Sequence, residues 1–125
     1  MLATNLKHWN FLAPAWMAWE DSGMTPRSLK EFQSLLEPPT LVIGAGQGLM
    51  VEGLLRQDKE CIGIDCSDTM RRYAKQRRGL TIQPGIAECL PFNEDQFGSI
   101  VITTGVLNSY NTSDIIAILT EANRV

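Results

Sequence analysis

A single histidine, His8, serves the whole 125-residue chain, and that scarcity removes most zinc chemistry at once. Zinc sites draw on histidine and cysteine at paired spacings. Cysteine does not make up the shortfall. Cys61, Cys66 and Cys89 are odd in number and lack metal-ligand spacing, so neither a metal site nor a disulfide framework is expected. They read as small core residues in a reducing compartment. Long hydrophobic runs are missing too. The longest, Phe11 to Trp19, is nine residues, holds Pro14 and stops at Glu20-Asp21, whereas a bilayer takes about 20. A single lysine before it and bulky tryptophans within it make a poor export signal. A cytoplasmic protein with no membrane partner is the expectation. Basic residues are outnumbered, 11 against 14 acidic for a net charge of −3, which gives no general pull toward nucleic acid. There are no repeats and no low-complexity tracts.

What is present suits one domain. With 44% apolar and 20% charged residues, the chain can bury a core and is not disordered by composition. Arg71, Arg72, Lys75, Arg77 and Arg78 hold five of the eleven basic residues. They read as a solvated helix face that complements a helix C-terminus, with a phosphate-bearing partner as the alternative.

Residues 1–39 form an N-terminal helical segment. Leu12, Ala15, Trp16 and Trp19 fall on one helical stripe that Pro14 can enter at its first turn. That stripe packs on the body of the domain, shapes a pocket as a lid, or does both. His8 reads as a surface or packing residue rather than a general base. Thr25-Pro26 and the capping box Ser28-Leu29-Lys30-Glu31 open a second helix. Its buried face is Leu29, Phe32, Leu35 and Leu36, and Pro38-Pro39 stops it.

From residue 40 to 125 strand and helix alternate. Strands are expected at Thr40–Ile43, Glu60–Asp65, Leu80–Gln83 and Ser99–Thr103. A helix over Gly48–Gln57 buries Val51, Leu54 and Leu55. Ser67 and Asp68 cap another that buries Met70, Tyr73 and Ala74. Thr112 or Ser113 caps a last one with Ile115, Ile116, Leu119 and Ala122 on one side. Such alternation predicts a parallel sheet with right-handed crossovers. The ligand crevice belongs at the carboxyl ends of the strands.

Leu41-Val42-Ile43-Gly44-Ala45-Gly46-Gln47-Gly48 organises the rest. An apolar strand runs into glycines that leave no Cβ between backbone and ligand, and a helix start follows with its N–H groups forward. Cys61-Ile62-Gly63-Ile64-Asp65 then ends a second strand in a carboxylate. Together these are the means of holding a nucleoside-containing cofactor, the carboxylate accepting from ribose hydroxyls.

The spacing Gly44-Ala-Gly46-Gln-Gly48 resembles the first motif of class I S-adenosylmethionine-dependent methyltransferases. Their pattern h-x-G-h-D-x-S-x-x-M-x-x-x-A is met by Cys61-Ile-Gly63-Ile-Asp65-Cys-Ser67-Asp-Thr-Met70-Arg-Arg-Tyr-Ala74. G-D-A-E-x-L-P-F is answered by Gly85-Ile-Ala87-Glu88-Cys-Leu90-Pro91-Phe92, with Phe97-Gly98 in place of F-D. Val106-Leu107 and Leu119-Thr-Glu121-Ala-Asn-Arg124-Val125 match V-L and L-x-E-x-x-R-V. The resemblance covers residues 40–125. It implies a Rossmann-like parallel sheet in strand order 3-2-1-4 with flanking helices, and S-adenosylmethionine as cofactor. By the same resemblance, Gly44, Ala45, Gly46 and Gly48 let the backbone approach the methionine part of the cofactor. Asp65 takes the ribose and Cys66 flanks the adenine. Ala87 meets the adenine through its N–H, with Glu88 and Leu90 nearby. Thr103 and Thr104 lie beside the sulfonium. No catalytic base and no metal ligand is singled out. Asn108, Ser109 and Tyr110 read as ordinary loop chemistry or as acceptor-side contacts.

Val42, Ile86 and Gly98 stand where the family usually has acids, and the first two take polar groups from the expected pocket. Members also continue past the place of Arg124-Val125 with a turn and three more strands. The expectation is therefore the cofactor half of a methyltransferase fold, its sheet incomplete at the fourth strand. That edge is open to self-association, and Ile115, Ile116 and Leu119 are at risk of exposure. With no broad basic surface and no Asn-Pro-Pro-Tyr-like motif, a small-molecule acceptor is the leading reading. Two alternatives compete with it. One is a non-catalytic binding module of the same fold, and the other is a nicotinamide-dependent oxidoreductase, which the glycine spacing disfavours.

Overall fold

The computed structural model describes Asn10, Ala13 and residues 27–107 and 110–125. The stripe of Leu12, Ala15, Trp16 and Trp19, His8, the Thr25-Pro26 cap, Asn108 and Ser109 lie outside the described residues. In chain order the elements are α1 (Arg27–Ser34), β1 (Thr40–Ile43), α2 (Leu49–Leu55), β2 (Cys61–Asp65) and α3 (Asp68–Arg78). Then follow β3 (Gln83–Pro84), β4 (Ser99–Ile102), α4 (Thr104–Leu107) and α5 (Thr112–Arg124).

The strands form one parallel sheet in the order β3-β2-β1-β4. All four residues of β1 are buried, as an unbroken apolar run flanked on both sides requires. Ile43 lies between Ile64 of β2 and Ile102 of β4, so the three carboxyl ends open on one line.

Alternation along the strands splits the core in two. Leu41, Ile43 and Ile64 turn to one face and pack with Ala87, Leu90, Ile118 and Val125. Val42 and Val101 turn to the other and pack with Val51, Leu54, Ala74 and Ile82. Each fully buried aliphatic side chain contributes about 1.5–3 kcal/mol. Leu41, Leu54, Ile64 and Ile118 are among them.

The third strand is shorter and later than the apolar run Leu80–Gln83 suggests. Leu80 and Ile82 are wedged under the glycine turn and β2. Cβ atoms built at Gly48 and Gly63 would lie 2.8 Å from Leu80 Cδ1 and 2.9 Å from Ile82 Cδ1. Ladder pairing starts only at Gln83, opposite Ile64.

Two helices turn otherwise than their apolar spacing implies. In α1 it is Gln33 that is buried, with Phe32 at 45% and Leu35 at 79% exposure. The Gln33 amide occupies the space above Gly53, 2.2 Å from where its Cβ would stand. It also accepts from Gln57 Nε2 at 3.0 Å. Asn111, not Thr112 or Ser113, caps α5 by accepting from Asp114 N–H at 3.0 Å. That helix buries Ile118, while Ile116 and Leu119 are 61% and 49% exposed. Among the cysteines, Cys61 and Cys66 are half-buried and Cys89 is exposed; none is paired, so only the first two approach the core role expected of them.

The end of α5 clamps the loop after Cys89. Arg124 donates to the carbonyls of Phe92 (2.8 Å) and Leu90 (3.0 Å) and to Glu121 Oε1 (2.7 Å). Glu121 Oε2 accepts from Leu90 N–H at 2.7 Å. The Arg124 hydrogen bonds, with that N–H, hold the Glu121 carboxyl down at about 2. Gly98 has a structural reason of its own, since a Cβ there would meet the Glu37 carbonyl oxygen at 2.8 Å.

Candidate cofactor site

Asp65 is the junction of the site. Its Oδ2 accepts from the Gly46 N–H and its Oδ1 from the Ser67 N–H, each at 2.8 Å. One carboxylate thus ties the glycine turn after β1 to the start of α3. Ser67 in turn caps α3, accepting from Met70 N–H at 3.2 Å. Its hydroxyl donates to Asn10 Oδ1 at 2.5 Å, which places Asn10 at this edge. Burial pushes the Asp65 carboxyl above its usual value, against the pull of the Ser67 and Gly46 N–H groups and of Arg71.

The three glycines of the turn have different reasons to be glycine. A Cβ on Gly44 would stand 2.2 Å from Val106 Cγ2 and 2.6 Å from Thr103 Oγ1, so its bare face receives α4 rather than a ligand. Gly48 receives Leu80. Gly46 alone opens outward: at φ +56 its Cβ would meet only Met70 Sδ, at 3.9 Å. The N–H groups of Gly44 and Ala45 are held by the Ile64 carbonyl, and that of Gly48 by the Ala45 carbonyl. With Gly46 bound to Asp65, these four donors are engaged within the protein rather than pointing free. The Ala45 side chain is buried in the core, which leaves only its backbone to meet a ligand.

Beyond Asp65 lies an open pocket of about 400 Å³, lined by Cys66, Arg71, Pro84, Gly85, Ile86, Cys89 and Pro91. Cys66 is part of its wall. Burial and then the Asp65 charge raise its thiol to about 11, so it remains a neutral wall. Ala87 and Glu88 form the turn closed by the bridge between Ile86 and Cys89. Ala87 is buried. Thr103 sits across the turn, its hydroxyl donating to the Gly44 carbonyl at 2.8 Å. Thr104 opens α4, and its side chain lies outside the described residues.

Of the three acids missing from the usual pattern, two were expected at the cofactor, and only one of those positions concerns this pocket. Ile86 lines it, whereas Val42 is fully buried against α2 and α3. Sequence reasoning missed Arg71, which lines the pocket and whose guanidinium donates to the Asp65 carbonyl at 2.8 Å. Its signal was position, six residues after a strand-end acid in the first turns of the next helix. Membership in a basic run disguised it. Among the described residues no group of histidine, cysteine and acidic side chains is placed to hold a metal.

A parallel sheet with a glycine turn and a carboxylate at adjacent strand ends defines a Rossmann-like nucleoside-binding domain. The chain matches the methyltransferase domain family over residues 41–125. It belongs to that family, with the fold of class I S-adenosylmethionine-dependent methyltransferases. Among solved structures it is similar to YcgJ from Bacillus subtilis, 30% identical with a TM-score of 0.64 over 78% of this chain and 45% of that one. It also resembles an S-adenosylmethionine-dependent methyltransferase from Thermotoga maritima, a possible histamine N-methyltransferase. There the identity is 22% and the TM-score 0.73, over 93% of this chain and 54% of that one. The glycopeptide N-methyltransferase MtfA, solved with S-adenosylmethionine, is 19% identical with a TM-score of 0.66 over 76% and 43%. The chain thus spans about half the length of these solved proteins. No curated protein sequence matches it.

Proposed function

We propose that the chain binds S-adenosylmethionine across the ends of β1 and β2 and serves methyl transfer to a small molecule. Asp65 carries this reading. It is a part-buried carboxylate beside a pocket of nucleoside size, and it already orders the glycine turn and the α3 cap. Each of its oxygens keeps a lone pair for a ribose hydroxyl. The outward face of Gly46 admits the methionine portion, and Cys66, Ile86, Cys89 and Pro91 supply walls for the adenine. Ala87 offers its N–H to that ring from the turn. Thr103, by gripping Gly44, positions the floor on which the sulfonium lies, and Thr104 starts the helix beside it. When bound, the cofactor supplies both the methyl group and its leaving group. The residues of the chain hold it, orient it and exclude water.

Residues 40–125 form the cofactor-binding unit in this reading, with residues 1–39 as its helical preface. The net charge of −3 supports a small acceptor over nucleic acid, as does the Thermotoga relative's description. Three free cysteines suit a cytoplasmic setting, and among the described residues no helix is long and apolar enough to cross a membrane. A binding module without turnover is the second reading, favoured by the engaged N–H groups of the glycine turn.

The test is a thermal shift with S-adenosylmethionine, S-adenosylhomocysteine and NADH side by side. The first two raise the melting temperature and NADH does not; a shift with NADH alone overturns the assignment. With an apolar residue at position 86, a dissociation constant near 100 µM, about 5.5 kcal/mol, is in keeping with the site.

The sheet edge supports one further element of this reading, self-association. β4 pairs only with β1 among the described residues, and Ile116 and Leu119 of α5 are exposed. Light scattering of the 125-residue chain should show mass rising with concentration. A monodisperse monomer removes this element and leaves cofactor binding untouched.

A further inference from the structure

We propose that Asn10 holds the Ser67 hydroxyl proton away from Asp65 and so reserves that carboxylate for the ribose. The inference rests on the adenosyl ligand proposed above, and it assigns a positioning residue outside the span of the family match, residues 41–125. Asn10 stands 57 positions before Ser67, and its Oδ1 takes the Ser67 hydroxyl proton at 2.5 Å. Ser67 is fully buried. Its Oγ accepts from the Met70 N–H at 3.2 Å, and its own N–H donates to Asp65 Oδ1 at 2.8 Å. Asn10, Met70 and Asp65 are thus joined through one side chain that bulk water does not reach.

A hydroxyl has one proton to give, and a buried one needs an acceptor for it. Without Asn10, the acceptor at hand is Asp65. Ser67 Oγ and Asp65 Oδ1 are both neighbours of the Ser67 nitrogen, so a turn of the serine side chain points its proton at the carboxylate. Oδ1 then holds two donors from Ser67 and has no lone pair left for a sugar hydroxyl. Oδ2 cannot make up the loss, because the Gly46 N–H already takes part of it at 2.8 Å. Arg71 does not compete, since its guanidinium donates to the Asp65 main-chain carbonyl. An amide suits position 10 for a chemical reason. Its oxygen accepts the proton, as a carboxylate would, without setting a second negative charge near Asp65.

The experiment is a calorimetric titration of the full chain with S-adenosylhomocysteine, run as a double-mutant cycle of Asn10→Ala and Ser67→Ala. Asn10→Ala should bind about tenfold more weakly, the effect of one lost hydrogen bond to a charged group. Ser67→Ala has no proton to misdirect, so adding Asn10→Ala to it should change affinity by less than about twofold. The double variant should therefore bind more tightly than Asn10→Ala alone, although it also lacks the α3 cap. Were Asn10 only an anchor, the double variant would bind no better than Asn10→Ala, and that result overturns the inference. A second readout needs no ligand. In the empty chain, carbon-13 NMR of the Asp65 carboxyl should show it titrating at lower pH in Asn10→Ala, because the added hydroxyl donor favours the ionised form. Arg71 and the neutral Cys66 thiol, which share its surroundings, are the same in both chains. An unmoved Asp65 titration overturns the inference even where the Ser67 variants do not fold. If the unaltered chain binds no S-adenosylhomocysteine, the adenosyl reading fails, while the Asp65 titration still decides what Asn10 does.

Discussion

Asp65→Asn is expected to bind S-adenosylhomocysteine at least about tenfold more weakly than the unaltered chain, and no better than Asp65→Ala. Charge alone would make the amide an intermediate case. The geometry argues otherwise, because the two carboxylate oxygens face two backbone donors, the N–H groups of Gly46 and Ser67. An asparagine can offer its oxygen to one of them and must set its NH₂ against the other. The glycine turn or the α3 cap is then released, and with it the geometry that receives a ribose. Calorimetric titration measures the affinity and circular dichroism verifies folding. An asparagine variant with unaltered affinity would reduce Asp65 to a helix-start residue.

The same carboxylate sets a pH dependence. Burial raises its folded-state value above the ordinary one, so ionising it costs the empty fold stability as pH rises through that value. Cofactor affinity runs the opposite way. It needs the ionised form and is lost as pH falls through the raised value. The loss should be absent in Asp65→Ala.

Gly44→Ala should destabilise the chain by about 2–5 kcal/mol, summing overpacking and a left-handed backbone. Its new Cβ would overlap Val106 Cγ2 at 2.2 Å and Thr103 Oγ1 at 2.6 Å, on a backbone at φ +74. Either α4 moves away or the hydrogen bond from Thr103 to the Gly44 carbonyl breaks. Against a typical domain stability of about 5–15 kcal/mol, this is among the largest single effects available here. Gly46→Ala is the contrast. Its Cβ meets nothing nearer than Met70 Sδ at 3.9 Å, so only the backbone term of about 1–2 kcal/mol applies. Its methyl group, however, stands in the space assigned to the cofactor. Urea denaturation should therefore rank Gly44→Ala well below Gly46→Ala in stability, while Gly46→Ala loses affinity out of proportion to its folding. Equal destabilisation by the two would refute the division of labour between these glycines.

How much of the fold is legible in the sequence follows from which interactions are local. Thr40–Ile43 stands at the residues its unbroken apolar run marks, because a strand buried on both faces needs no partner to be recognised. Ser67 caps α3 as its position before the helical pattern implies. The parallel order with β1 between β2 and β4 follows from alternation and chain handedness, and from the family whose motifs the residues carry. Gly44, Gly46, Gly48 and Asp65 were legible as a set for the same reason: a turn and a strand-end acid are short-range features.

What the tertiary structure decided was which face each residue shows, and to what. The stripe Phe32-Leu35-Leu36 has helical spacing, yet Gln33 is buried because Gly53 leaves room for its amide. Ile116 and Leu119 share a stripe with Ile115, yet the Asn111 cap and the Glu121–Arg124 clamp on Leu90 and Phe92 turn α5 so that Ile118 faces the sheet. Leu80 and Ile82 look like a strand and act as wedges. Arg71 looks like one cation among five and lines the pocket. For the helices the sequence determined the type of element and the chemistry available, through periodicity and turn residues. Orientation was set by contacts between residues far apart in the chain, whose free energies depend on shape and distance that no local pattern encodes.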